Sequence, residues 1–199
     1  MNKKSLILIG AGGHANSCID VIEKQNKFKI KGLIGLKSEV GQRCLGYEVI
    51  GDDDYLTSLA QKQAYALVCL GQIKSPETRK KSFLKLKELS FDLPSIVSPY
   101  AYVSNHAQVG NGTIIMHGAI INAGVVIGEN CIINSRALIE HDTIVGDNCH
   151  ISTGSIINGG VIVGDGCFIG SGSIVREGIK ISNNSLVGFG SIICRDLDS

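Results

Sequence analysis

The chain has 199 residues, with 19 basic and 18 acidic side chains, a formal net charge of +1 and 44% hydrophobic residues. So balanced a charge excludes bulk electrostatic capture of nucleic acid or of an anionic membrane. No apolar run approaches the roughly 20 residues of a membrane span, so a cytoplasmic protein of one large or two small domains is expected.

The opening residues begin like a secretory signal, but the apolar run Leu6-Ile7-Leu8-Ile9 is too short for one and reads as a buried first strand. Gly10-Ala11-Gly12-Gly13-His14-Ala15 follows, then a helical stretch to Lys24. Strand signals recur at 30–34, 47–50 and 66–70, and helical signals at 53–61 and 76–89. Ser75 is expected to cap the last helix, with Pro76 in its first turn. Alternating strand and helix predicts a small parallel sheet flanked by helices, a Rossmann-like α/β domain over residues 1–95.

Gly10-x-Gly12-x-x-Ala15 fits a loose dinucleotide fingerprint, in which glycines let the backbone approach phosphate at a helix amino terminus. Such a site also wants an acid at the end of the second strand. Gly35-Leu36-Lys37 stands there, with no carboxylate before Glu39. A nicotinamide cofactor is therefore disfavoured. A nucleotide phosphate on the loop is expected, the bland alternative being a tight turn without a ligand.

Residues 96–199 follow a different rule. Every sixth residue from Val97 to Ile193 is valine or isoleucine, seventeen positions without a break. Neither a helix of period 3.6 nor a strand of period 2 gives this pattern. A solenoid of short strands and corners does, with one β-branched residue per side pointing inward. Four positions after the aliphatic residue the side chain is mostly small, as at Ala107, Thr113, Ala119, Cys131, Ala137 and Ser155. Three sides converging on one axis leave little volume there. Glycine often follows the aliphatic residue (Gly110, Gly128, Gly146, Gly164, Gly170, Gly188), where bends are expected to need φ values costly for other residues. Cys131, Cys149 and Cys167, eighteen apart, form a ladder of inward thiols, read as reduced core residues.

The glycine-rich start, the α/β unit and the hexapeptide solenoid together resemble the sialic-acid O-acetyltransferases and the nucleotide-amino-sugar N-acetyltransferases, including the bacillosamine-pathway enzyme. The resemblance covers nearly the whole chain. It implies a left-handed parallel β-helix, one triangular coil per three hexapeptides, although general crossover rules favour the right hand. Its most specific stretch is 139–152, Ile-Glu-His-Asp-Thr-Ile-Val-Gly-Asp-Asn-Cys-His-Ile-Ser. On that resemblance His141 is the general base, Asp142 raises its basicity, and His150 contacts the thioester region of acetyl-CoA. Ser171 and Phe189 border acetyl-CoA, while Gly12, Gly13 and His14 bind the acceptor. Acetyl-CoA is the implied co-substrate, and no metal is expected. The chemistry suits these residues, since attack on a thioester needs a proton acceptor and imidazole is one. A carboxylate on the other ring nitrogen fixes the tautomer. Glu140 competes with Asp142 for that place.

His141 and His150 are nine residues apart, half a coil, so they should point from different sides of one prism. They can converge across a seam between chains, which predicts a homotrimer with sites at subunit interfaces, as in the family. His117, Ser135, Thr153, Ser171 and Phe189, eighteen apart, line one corner along which a pantetheine arm can lie. His106 and His117 read as surface or turn residues. Three departures from the family stand out. Gly35-Leu36 replaces paired aspartates, Phe189 replaces a glycine, and the chain ends without the Gly-x-Pro-Ala-Lys tail that helps to cover CoA.

The leading expectation is an acetyl-CoA-dependent N-acetyltransferase acting on a nucleotide-linked 4-amino-deoxy sugar for a surface polysaccharide or glycan. The alternatives are an O-acetyltransferase acting on sialic acid and a non-catalytic trimeric scaffold or sugar-nucleotide sensor.

Overall fold

The computed structural model describes residues 3–60 and 65–198. The first apolar run becomes strand β1 (Lys4–Ile9), flanked by parallel strands β2 (Phe28–Ile34) and β5 (Tyr65–Val68). Leu6, Ile7 and Leu8 are all fully buried, as an unbroken apolar strand covered on both faces should be. β4 (Tyr47–Gly51) adds in parallel to β2. The sequence pattern did not announce β3 (Arg43–Cys44), which pairs antiparallel with β4 through a turn at Leu45-Gly46. Helix α1 (Gly13–Gln25) packs against Leu6 and Leu8, while α2 (Asp53–Leu59) and α3 (Glu77–Glu88) cover Ile7 and Ile9. The expected end of the second helix, at Gln61, lies outside the described residues. Ser75 Oγ accepts the Glu77 N–H at 3.2 Å, but Pro76, not Ser75, holds the cap position of α3, one residue later than expected.

From Ile96 onward, two-residue strands recur every six residues and stack into three parallel sheets. The register pairs residues eighteen apart, such as Ile121 with Ile139 and Ile133 with Ile151. The aliphatic series fills a continuous core with Ala119, Cys131, Ala137, Cys149 and Cys167.

Two details of the coil differ from expectation. The small residues do more than save volume. Thr113 and Cys131 donate to the carbonyls of Gly128 and Gly146 at 2.8 and 3.1 Å, and Cys149, Ser155, Cys167 and Ser173 repeat the bond fifteen residues ahead. Each hydroxyl or thiol thus pairs a corner carbonyl that burial would otherwise leave costly. Second, Gly110, Gly128, Gly146, Gly164 and Gly170 are glycine for close approach, not for unusual φ. A Cβ on Gly110 would stand 2.5 Å from the Gly128 backbone of the next coil. The left-handed φ values fall at the corners instead, on residues such as Gly124, Asp142, Gly160 and Gly178.

One outward column binds the two parts of the molecule. Ile96, Ile114 and Ile132 project from one sheet into the core around α1 and are completely buried there. Arg79 of α3, 1% exposed, donates to the carbonyls of Val68 and Leu70 at 2.8 and 2.9 Å and of Asn130 at 3.1 Å. The guanidinium thus joins the end of β5 to a solenoid corner. No helix among the described residues is long and apolar enough to cross a membrane.

Candidate active site

His141 and Asp142 form the corner between the strands Leu138–Ile139 and Ile144–Val145. Asp142 takes φ 58°, in a column otherwise held by Gly124, Gly160 and Gly178. Asp is among the few side chains that visit this region readily. The corner turns its carboxylate back, so that Asp142 Oδ2 accepts from His141 Nδ1 at 2.9 Å. Glu140 does not compete, because its Oε2 accepts from Asn122 Nδ2 at 2.7 Å. With Nδ1–H given to the carboxylate, the neutral imidazole carries its bare nitrogen at Nε2, the atom that can accept a proton.

The imidazole lies over the next coil. A Cβ on Gly159 would stand 2.7 Å from His141 Nε2 and 2.8 Å from Cε1, so only glycine leaves the ring where it is. Gly159 escaped the sequence reading, although its place eighteen residues after His141 marks it. The bowl around the pair, about 510 Å³, is also lined by Glu140, Asn158 and Glu177. Its ionisable side chains other than His141 are all carboxylates.

His150 sits elsewhere. It continues the column of Ile114 and Ile132 on the sheet that faces the amino-terminal part, and is only 7% exposed. Its Nδ1–H donates to the Gln72 carbonyl at 2.6 Å, Nε2 accepts from Asn134 Nδ2 at 3.1 Å, and its ring meets Phe168 edge-on. Both ring nitrogens are engaged, so no ring proton is left for a thioester oxygen. Gln72, also missed by the sequence reading, locks this seam by donating to the Asn148 carbonyl at 2.9 Å. The chain does not bring His141 and His150 together.

Burial pushes the His150 imidazole down to about 4 from 6.5, against the raising effect of its bond to Gln72. In the unfolded chain it protonates at the ordinary value. Between those two values the unfolded state binds the extra proton, so stability falls as pH drops through the window. The loss attributable to this group should approach about 3 kcal/mol by pH 4. Thermal melts from pH 7 to 4 should therefore show a flatter profile for His150→Gln than for the wild-type chain. Parallel profiles would contradict this account.

A second pocket, about 520 Å³, lies at the carboxyl ends of β1 and β2 and is lined by Gly10, Ala11, Gly12, Gly35, Leu36, Glu39 and Asp52 among others. Gly10 needs its φ of 106°, and a Cβ there would strike Leu70. Gly12 and Gly13 have no such need, since a Cβ on either would meet nothing within 4 Å. The bare loop opens the amino terminus of α1, which has no side-chain cap and no acid in its first turn. Such a terminus suits a phosphate. Of the predicted acceptor residues, Gly12 lines this pocket. His14 turns inward, close to Gly71, with its Nε2 buried and unpartnered among the described residues.

Ser171 and Phe189 lie on the corner that follows the His150 sheet, both exposed, with Ser171 Oγ 2.8 Å from Ser152 Oγ. His117, on the same corner, is not the plain surface residue expected. It spans Ser98 Oγ at 2.6 Å and Asp20 Oδ2 at 2.9 Å, tying α1 to the solenoid. His106 is exposed, as expected. Among the described residues, no group of three or more His, Cys, Asp or Glu side chains could hold a metal.

Comparison with known proteins places the chain. The PglD N-terminal domain matches residues 5–86, the bacterial transferase hexapeptide repeat matches 106–141, 124–159 and 142–177, and the hexapeptide repeat of succinyl-transferase matches 160–195. PerB from Caulobacter crescentus, solved with CoA and GDP-perosamine, is 32% identical with a TM-score of 0.90, over 97% of this chain and 90% of that one. The chain belongs to the PglD-type hexapeptide-repeat sugar acyltransferases. A histidine-to-asparagine mutant of perosamine N-acetyltransferase from the same organism, with the same two ligands, gives 31% and 0.91 over the same shares. The acetyltransferase domain of PglB from Neisseria gonorrhoeae, in complex with acetyl coenzyme A, gives 27% and 0.90, over 98% of this chain and 93% of that one. No curated protein matches by sequence. As a member of this family the protein is an acyltransferase, and its solenoid is a left-handed β-helix.

Proposed function

We propose that this acyltransferase moves the acetyl group of acetyl-CoA to the amino group of a nucleotide-linked 4-amino-deoxy sugar, for a surface polysaccharide or glycan. The observation that carries the reading is the His141–Asp142 pair, set in an open bowl of about 510 Å³, room enough for a sugar ring. The sugar nitrogen attacks the thioester carbonyl while His141 Nε2 takes its proton. The N–C bond forms, the C–S bond breaks, and the imidazolium returns the proton to the departing CoA sulfur. Asp142 holds the Nδ1–H and stabilises the transient imidazolium.

Charge favours an amine over sialic acid. The carboxylates of Glu140, Asp142 and Glu177 attract a sugar ammonium before it is deprotonated. They repel an acceptor that carries its own carboxylate. The glycine loop supplies the nucleotide-phosphate site. This division of work assigns acceptor binding to residues 1–95 and chemistry to 96–199, and implies a cytosolic enzyme.

The same reading calls for a trimer. The amino-terminal part covers the sheet that carries His150, whereas His141 projects from the corner between the other two sheets. Those two sheets show solvent unusual columns of branched aliphatics, Ile120, Ile174 and Ile192 on one and Val126, Ile144 and Ile162 on the other. Contiguous apolar surface of this kind marks an interface. Threefold packing buries it and brings His141 of one chain towards the Ser171 and Phe189 corner of the next, where acetyl-CoA would lie. His150 shapes the wall of that groove rather than donating a proton.

Two measurements test the proposal. Supplied with acetyl-CoA, the enzyme should release CoA with a nucleotide 4-amino sugar and not with free sialic acid. Turnover on free sialic acid alone would instead establish the O-acetyltransferase. Light scattering coupled to size exclusion should give about three times the 21.1 kDa chain mass, and a stable monomer at micromolar concentration would refute the shared site.

A further inference from the structure

We infer that Glu39 supplies the ribose-binding carboxylate of the nucleotide pocket, the group that Gly35-Leu36 leaves out. The inference rests on the proposal that the pocket beside Gly10 and Gly12 takes a sugar nucleotide. In sites at the carboxyl ends of parallel strands, an acid at the end of the second strand accepts the hydroxyl protons of ribose. Here β2 ends at Ile34, and neither of the next two residues is acidic. Position 35 has no room for an acid. A Cβ there would stand 3.0 Å from Val49 Cγ1 and 2.6 Å from Glu39 Oε2.

That second distance shows what fills the place. The 3-10 turn Lys37–Glu39 reverses the chain, and Glu39 Oε2 accepts the Leu36 N–H at 2.7 Å. Its carboxylate is thereby carried back to the end of β2. The same Cβ at 35 would lie 3.4 Å from Ala11 Cβ, so the carboxylate and the glycine loop flank one residue. Glu39 is half-buried and lines the same 520 Å³ pocket as Gly10, Ala11 and Gly12.

One carboxylate oxygen is thus anchored. The other, Oε1, has no hydrogen-bond partner among the described residues, and Glu39 makes no ion pair among them. Of the three other acids that line the pocket, Asp54 lies in the first turn of α2 and two are committed elsewhere. Asp52 caps α2 through the N–H groups of Asp54 and Tyr55, and Asp53 pairs with Lys85 at 3.4 Å. A fixed, unneutralised carboxylate beside a phosphate loop matches the 2′,3′-diol of a ribonucleoside diphosphate. Hydrogen bonds to an ionised acceptor are the strong ones.

Titration calorimetry on the full chain tests this with GDP, UDP and their 2′-deoxy counterparts. Whichever base binds, the wild-type protein should prefer the ribonucleotide by roughly tenfold or more. Glu39→Ala should reduce the preference to about parity by weakening the ribonucleotide alone. Glu39→Gln keeps an acceptor for the Leu36 N–H but lacks the charge, so it should melt like wild type and lose most of the preference. A preference that survives both substitutions, or a wild-type protein that binds both sugars equally, overturns the assignment. If none of the four nucleotides binds the wild-type protein, the nucleotide reading of the pocket falls, and the assignment with it.

Discussion

His141→Ala is expected to lower kcat by roughly 10² to 10⁴, the usual contribution of a positioned general base. The side chain is an exposed corner residue that no core cluster includes, so the variant should fold and still bind acetyl-CoA. The loss should therefore appear in kcat on the nucleotide amino sugar, with the melting temperature unchanged. Asp142→Asn should cost less. The asparagine tolerates the left-handed φ of 58° and keeps an oxygen near Nδ1, but it removes the charge that stabilises imidazolium. Full turnover by His141→Ala would show that another group takes the proton.

Gly159→Ala should also act on kcat, without removing any ionisable group. Gly159 is not at a positive φ, so the alanine backbone is unstrained. Its methyl carbon would nonetheless stand 2.7 Å from His141 Nε2, and the ring must swing away. A displacement of about 1 Å in a catalytic group can cost on the order of 10² in rate. Steady-state kinetics should show that fall with little change in the acetyl-CoA KM or in the melting temperature. If Gly159→Ala turned over normally, the resting position of His141 would not be the reactive one. A crystal structure of the variant would show where the ring had gone.

The acidic bowl and the glycine loop divide specificity between them. On the proposed reading, the bowl would present its carboxylates to the acceptor nitrogen, and the loop, with Glu39, would take the nucleotide.

The amino-acid order by itself determined the solenoid, because a β-branched residue pointing inward every six positions is a local property of each short strand. It also set His141 between two acids that adjoin it in the chain, and set the alternation of strand and helix before Ile96. The choice between Asp142 and Glu140 was not legible, since it turns on Asn122, one coil away, engaging Glu140. The glycines at 110, 128 and 146 were legible as glycines but not for the right reason. Their demand comes from backbone eighteen residues ahead, not from their own φ. His150 was legible as a histidine of the solenoid but not as a buried one, since the Gln72 loop that closes over it lies seventy-eight residues earlier. Glu39 looked too late in the chain to serve β2 until a turn folded it back onto Leu36. Apart from that local turn, a contact between residues distant in sequence, set by how coils stack and how the amino-terminal part docks on them, chose among side chains that local pattern left equivalent.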